Sequence, residues 1–315
     1  MDRPRVGQAP RRPRRPESEV TSLLTVASGL AWLSLPKVLV RLRSGLRNTS
    51  LAGLWAGLSV LWIAWGAVLA ISIAGGGPAG WVDMLWYAQA VFLLAPPIAV
   101  LGARRPIHRV WPMFVLLPLL LVFLWPVVSA LVRTRIPAAW TIETPLFFGY
   151  GVVLIMGTGN YLGLRQTVPA LLWMVAQLLL AGPLCPFIAR LLPSPESSRL
   201  WATLAITAAG WGAVLQARAK VTGIEPGLPI DRMWVRFRDT FGLVWAMRVL
   251  ERFNETARLK KWPFFLGLDG LEPVDRSSPD GEQLSFGQAE LIEAETSLRR
   301  LLEKFVMPDW FENEA

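Results

Sequence analysis

The chain has 315 residues, of which 53% are hydrophobic and only 17% charged, and its mean hydropathy is +0.41. Soluble domains carry about 25% charged residues, so this composition points to a lipid bilayer as the chain's main partner. One Cys and one His exclude a disulfide framework and leave too few soft ligands for zinc, haem or an iron–sulfur cluster, although oxygen-only metal sites stay open. No cofactor is expected.

The net charge of +9 is unevenly placed: +7 over residues 1–50, +5 over 51–217 and −3 over 218–315. In a soluble protein such basicity would suggest nucleic acid. Here the positive charge flanks hydrophobic runs, where it marks the cytoplasmic side of a membrane, and no nucleic-acid partner is expected. Arg outnumbers Lys 27 to 5 in an Ala-, Leu-, Gly- and Pro-rich chain, a composition typical of GC-rich bacterial genomes, which points to the bacterial cytoplasmic (inner) membrane.

Residues 1–19 are rich in Arg and Pro, have no apolar periodicity and are expected to be disordered. Residues 20–40 are apolar, but Pro36 and Lys37 interrupt the run, and no small-residue cleavage site precedes Arg41, Arg43 and Arg47. Leu35, Leu39, Leu42 and Leu46 recur at helical spacing with basic residues elsewhere on the wheel. This pattern predicts an interfacial amphipathic helix over residues 20–48 rather than a seventh span or a signal peptide.

Six transmembrane helices are predicted within residues 49–217, near 51–74, 80–102, 110–132, 145–164, 168–190 and 199–217, each about the 20 apolar residues needed to cross the hydrocarbon. The connection at residues 75–78 carries no charge, whereas the next carries Arg104, Arg105 and Arg109. This asymmetry predicts a multi-pass protein with both termini cytoplasmic. Residues 218–315 form a small cytoplasmic helical domain. Asp231 is placed to cap a helix over residues 231–257, and Ser285 and Gln288 have capping-box spacing ahead of a second helix. SSPDG at residues 277–281 reads as a turn between them. The fold class is therefore an all-α integral membrane protein with six spans, an N-terminal interfacial helix and a small helical tail.

A membrane hydrolase or proton-coupled pump carries ionisable groups inside its spans. Between residues 51 and 217 the acids are Asp83, Glu143 and Glu196, all near span ends, so no carboxylate pair sits at mid-membrane. His108 lies in a basic loop with no acid nearby, and Cys185 lies between Pro183 and Pro186, the environment of a packing residue. No catalytic motif and no metal-ligand spacing are found.

The mid-membrane polar candidates are amides. Gln89 and Gln177 near the centres of their spans could line a solute path, but the reading preferred here is interhelical hydrogen bonding. Asn160 falls in Gly157-Thr158-Gly159-Asn160-Tyr161, either an unwound ligand segment or, with Arg165 following, a cytoplasmic helix end. Small residues at four-residue spacing, Gly53 and Gly57, Gly159 and Gly163, and Ala205, Ala209 and Ala213, predict close helix contacts.

In the tail, Trp234, Phe237, Phe241 and Trp245 share one helix face, and Leu291, Leu298, Leu301 and Phe305 form a seam on the other helix. A segment of about 98 residues is thin for an independent core, so part of this surface is expected to stay uncovered and to dock a second copy or a partner protein. The sequence thus reads first as a non-enzymatic polytopic membrane protein with an interaction tail. The alternatives are a permease-like transport component for an apolar or amphipathic solute and, third, a membrane-embedded enzyme.

Overall fold

The computed structural model describes residues 16–103, 111–133, 139–218, 228–274 and 287–312, and is mostly helical. The apolar runs become helices α1 (Pro16–Leu46), α2 (Ala52–Ile73), α3 (Ala79–Phe92), α4 (Ala95–Leu101), α5 (Trp111–Val132), α6 (Thr144–Gly159), α7 (Thr167–Ala181), α8 (Pro186–Ala189) and α9 (Pro195–Arg218). Five stretches are long and apolar enough to cross a membrane: Val20–Leu46, Ala52–Ile73, Ala79–Leu101 through α3 and α4, Thr167–Leu184, and Pro195–Ala217. Leu116–Val132 and Thr144–Gly159 are shorter apolar helices beside them.

The region expected to form an interfacial helix is different in the structure. α1 is a single helix of 31 residues that runs through Pro36 and lies along α2 and α9. Proline cannot donate to the carbonyl four residues back, which here is that of Trp32. The vacated acceptor takes the indole N–H of Trp62 at 3.2 Å, while the indole of Trp32 donates to the Trp62 carbonyl at 3.1 Å. The two rings stack 5.1 Å apart, and Gly66 lies so close beneath Trp32 that a Cβ there would come within 2.1 Å of the ring. An apparent helix interruption in the sequence is therefore a join between two helices. α1 runs parallel to α9: Ser28 donates to the Leu200 carbonyl, Trp211 donates to Ser34, and Val38 packs on Gly210.

α9 packs most extensively on α7 and α1, and α3 fills the centre of the bundle with Trp86, Tyr87 and Ala90. Asp83 at the start of α3 and Arg199 at the start of α9 form an ion pair among largely buried groups. Of the small residues, Ala209 is buried in a helix contact, but Gly53, Gly57, Gly159 and Gly163 have open space where a Cβ would stand. Glycines in close contact include Gly66, Gly157 against Pro97, Gly182 against Leu192, Gly210 against Val38, and Gly212 against Pro169.

The tail comprises α10 (Pro229–Lys260), a hairpin of β1 (Phe264–Leu266) and β2 (Leu271–Pro273), α11 (Gln288–Leu302) and α12 (Asp309–Glu312). The antiparallel hairpin is an addition to the mostly helical fold that the sequence does not announce; its strands are three residues each, too short for an alternating pattern to be read. Asn254 of α10 holds β1 through both halves of its amide, donating to the Leu266 carbonyl at 2.9 Å and accepting its N–H at 2.7 Å. Asp231 does not cap α10. It accepts the Leu271 N–H at 2.8 Å and so fixes β2 to the helix. The predicted turn at residues 277–281, Ser285 of the predicted capping box, His108, and residues 1–15 of the segment expected to be disordered lie outside the described residues.

Candidate functional site at the junction of bundle and tail

The tail sits at the end of the bundle where α1, α4, α6 and α9 finish. Its attachment begins with the geometry of α10, which breaks at Gly242 (φ 78°, ψ −177°). Such a conformation interrupts the helical ladder and favours glycine. The groups it releases are taken by one residue of the bundle. Asn160, at the C-terminal cap of α6, donates from its side chain to the Phe241 carbonyl at 3.1 Å, accepts the Val244 N–H at 2.9 Å, and accepts the Leu243 N–H on its own carbonyl at 2.8 Å. A Cβ at position 242 would stand 2.1 Å from the Asn160 amide nitrogen. Tyr161 adds a bond to the Thr240 carbonyl at 3.2 Å, and Trp245 reaches back to the Val100 carbonyl at 2.8 Å. A second attachment lies at the turn between α1 and α2, where Ser50 donates to Phe305 O, Met307 donates to Asn48 O, and Thr49 bridges Val306.

Between these attachments is a cavity of about 1270 Å³, larger than the 300–1,000 Å³ usual for small-molecule sites. Its bundle walls are apolar, with Leu46, Leu54, Leu58, Leu154, Trp173 and Val214 from five helices and the α6–α7 side closed by Pro169. Its tail wall is the first half of α10, which presents Asp231, Arg232, Arg236, Asp239 and Thr240, while the bundle adds the charged Arg41 of α1 and Arg165 of the α6–α7 turn and the neutral polar groups of Ser44, Thr158, Tyr161, Gln166 and Gln216.

The charged groups have distinct surroundings. Asp239 pairs with Arg238 at 2.9 Å, and Arg238 also reaches Asp269 at 2.7 Å. Burial pushes the Asp239 carboxyl above its ordinary range, against the pull of Arg238 and Arg165. Burial likewise raises Asp231, against the hydrogen bond from Leu271. The Arg236 guanidinium lies 4.3 Å over the Trp310 ring and donates to its carbonyl at 3.2 Å, and the Arg41 guanidinium lies 5.0 Å over Trp211. Two cavity residues carry buried polar atoms with no hydrogen-bond partner, the indole N–H of Trp173 and the amide oxygen of Gln216. Among the described residues no group of three or more His, Cys, Asp or Glu could hold a metal ion.

The residues singled out from sequence are not brought together. Gln89 donates to the Leu61 carbonyl at 3.3 Å, between α3 and α2. Gln177 accepts the Tyr150 hydroxyl between α7 and α6, and its amide nitrogen is buried without a partner. Neither lines the cavity. Asn160 is the rivet at Gly242. Cys185 is fully buried. In the tail, Trp234, Phe237, Phe241 and Leu298 are fully buried, and Trp245 and Leu301 are half-buried. The two predicted apolar faces meet each other: Phe305 packs on Phe237, Phe241 and Trp245. The expectation that these residues stay uncovered fails because the end of the bundle, through Leu51, Val100 and Ala103, completes their core.

The residues missed are Arg41, Arg165, Arg232 and Arg236. For Arg41 and Arg165 the available signal was their place at helix ends beside apolar runs, which equally marks membrane side; for Arg232 and Arg236, inside α10, the sequence carries no such signal. Comparison with protein-family models, curated proteins and solved structures finds no match.

Proposed function

We propose that this polytopic membrane protein binds an amphipathic, lipid-like molecule in the cavity between bundle and tail, as a component that carries or presents that molecule. The observation that carries this reading is the cavity itself: about 1270 Å³, with apolar walls from bundle helices and a polar wall from α10. Filled with water, it would hold on the order of forty molecules against mostly apolar walls, an unfavourable filling compared with an acyl or isoprenoid chain. The reading of the tail as a docking module loses its support, since its aromatic face is interior.

The test is direct binding. A fluorescent phospholipid analogue should bind the purified protein saturably, and Ala170→Trp, which places an indole in the cavity, should abolish that binding while thermal unfolding stays within a few degrees of wild type. Unchanged binding to a folded Ala170→Trp variant refutes the proposal.

The asymmetry of Lys and Arg supports a cytoplasmic tail in a bacterial inner membrane. The alignment of α1 with α9 favours seven crossing helices over six, with residue 16 and the tail on opposite sides. In a Cys185→Ala background, Ser18→Cys should then react with an impermeant maleimide from outside, and Ser278→Cys only after permeabilisation. Protection of both restores the interfacial reading of α1.

A further inference from the structure

We infer that the occupant of this cavity is an anionic lipid whose head group is held by Arg41 and Arg232. The inference rests on the cavity-binding reading above and adds the chemical class of the ligand. Four guanidinium residues and two carboxylates line the polar part of the cavity. Asp239 lies against Arg238 and Arg165, and Arg236 is held on Trp310. Asp231 is occupied by the Leu271 N–H. Arg41 and Arg232 are both exposed and have no acidic partner among the described residues, and Arg41, although it lies over the Trp211 ring, makes no hydrogen bond to it as Arg236 does to the Trp310 carbonyl. They approach the cavity from different parts of the chain, α1 and α10, so a single head group touching both would join bundle and tail.

Guanidinium is the cation suited to this role. It is planar, always charged, weakly hydrated, and matches phosphate or carboxylate oxygens with paired donors. A cationic head group would instead meet an excess of positive charge, and a purely apolar ligand would offer nothing to Arg41 and Arg232 and leave the buried Trp173 N–H without an acceptor. An anionic lipid offers oxygens to both arginines while its chains cover Leu54, Leu58 and Leu154. Free inorganic phosphate shares the head-group chemistry but would leave the apolar walls bare.

The experiment uses the full chain in a neutral detergent. Phosphatidylglycerol, phosphatidylcholine with the same chains, and inorganic phosphate are compared by native mass spectrometry and by the shift in thermal unfolding. Wild type should bind phosphatidylglycerol about tenfold tighter than phosphatidylcholine, the effect of one charge-assisted contact, and phosphate alone should give no shift. Arg41→Gln and Arg232→Gln, both at exposed positions, should each weaken phosphatidylglycerol binding more than phosphatidylcholine binding and bring the ratio close to one. Arg258→Gln, exposed on the far part of α10, should keep the preference. Equal binding of the two lipids by wild type, a preference that survives in both variants, or full protection by phosphate alone each overturns the inference. Equal binding leaves the cavity reading intact, whereas absence of binding by either lipid removes both.

Discussion

Trp86 in the bundle and Trp234 in the tail are both fully buried with satisfied indole N–H groups, the first donating to Ser72 at 2.8 Å and the second to the Gly267 carbonyl at 2.8 Å. Their surroundings differ in kind. Trp234 belongs to a stacked series with Phe237 and Phe241, closed by Phe305, on helices whose other faces are charged. Trp86 belongs to a bundle whose outer surface is as apolar as its centre, with Leu23 71% and Trp125 62% exposed. Water outside the tail drives its aromatic side chains inward. Lipid outside the bundle supplies no such force, so the helices associate through close packing and specific interhelical hydrogen bonds. The same residue type therefore contributes through its burial in the tail and through its N–H and its fit in the bundle.

That contrast predicts a descending series of effects. Trp234→Ala should be the most costly, about 3–5 kcal/mol as for other buried aromatics, seen as loss of the tail's cooperative thermal transition while bundle helicity in circular dichroism remains. A transition unchanged within a degree would mean that the tail core is held by something other than its aromatic series. At the seam, Gly242→Ala and Asn160→Ala should each cost about 1–3 kcal/mol, the former through strain at positive φ and the latter through buried groups left unpaired. The double variant should cost less than the sum, because removing the Asn160 side chain relieves part of the clash at position 242, the Asn160 carbonyl oxygen still standing 2.7 Å from the added Cβ. Strict additivity in a double-mutant cycle would separate the two residues.

Within the bundle, Gln89→Leu should cost about 1 kcal/mol of detergent stability. Gln177→Leu should be neutral or stabilising, since it removes a buried amide nitrogen that has no partner and leaves the Tyr150 hydroxyl the Ala90 carbonyl at 3.3 Å. A larger loss at Gln177 than at Gln89 reverses this assignment.

The smallest effect is that of pH on the tail. Asp231 and Asp239 have folded-state values raised by burial, so the folded tail binds protons more readily than the unfolded chain. Its stability should rise as pH falls from neutral through those values, with the gain complete below about 3.9, the unfolded Asp value. Glu293 acts in the opposite sense: Lys260 lowers its value, and its contribution is lost only as pH falls below about 4.3. A urea midpoint higher at pH 5 than at pH 7, with the difference reduced in Asp231→Asn, is the expected outcome. A midpoint higher at pH 7 contradicts it.

Helix positions in the bundle were largely legible, because each of the six predicted runs between residues 51 and 217 coincides with α2 through α9 to within a few residues, apart from the run at 168–190, where α7 ends at Ala181 and a separate short helix follows. The α1 helix was legible as well, but its packing along α2 was not, since the indole that uses the carbonyl freed by Pro36 belongs to Trp62, 30 residues away from Trp32. The kink at Gly242 was hidden for a similar reason: the sequence shows a glycine in a long helical pattern, and the groups that stabilise its conformation belong to α6. The cavity could not be read at all. Its walls are drawn from seven helices whose adjacency no local periodicity encodes, and Arg41 and Arg165 served equally well as markers of membrane side.

The turn at residues 48–50 has a consequence for the order of events during synthesis. Its partners at residues 305–307 are translated roughly 255 positions later. At about 5–20 residues per second, the ribosome leaves this edge without its mate for on the order of 13 to 50 seconds. Through that interval α1 and α2 have already met through Trp32 and Trp62, while the tail has no finished surface to rest on. Completion of the junction is thus a late step, and truncation ahead of residue 305 should yield an inserted bundle whose tail-side end is open to protease.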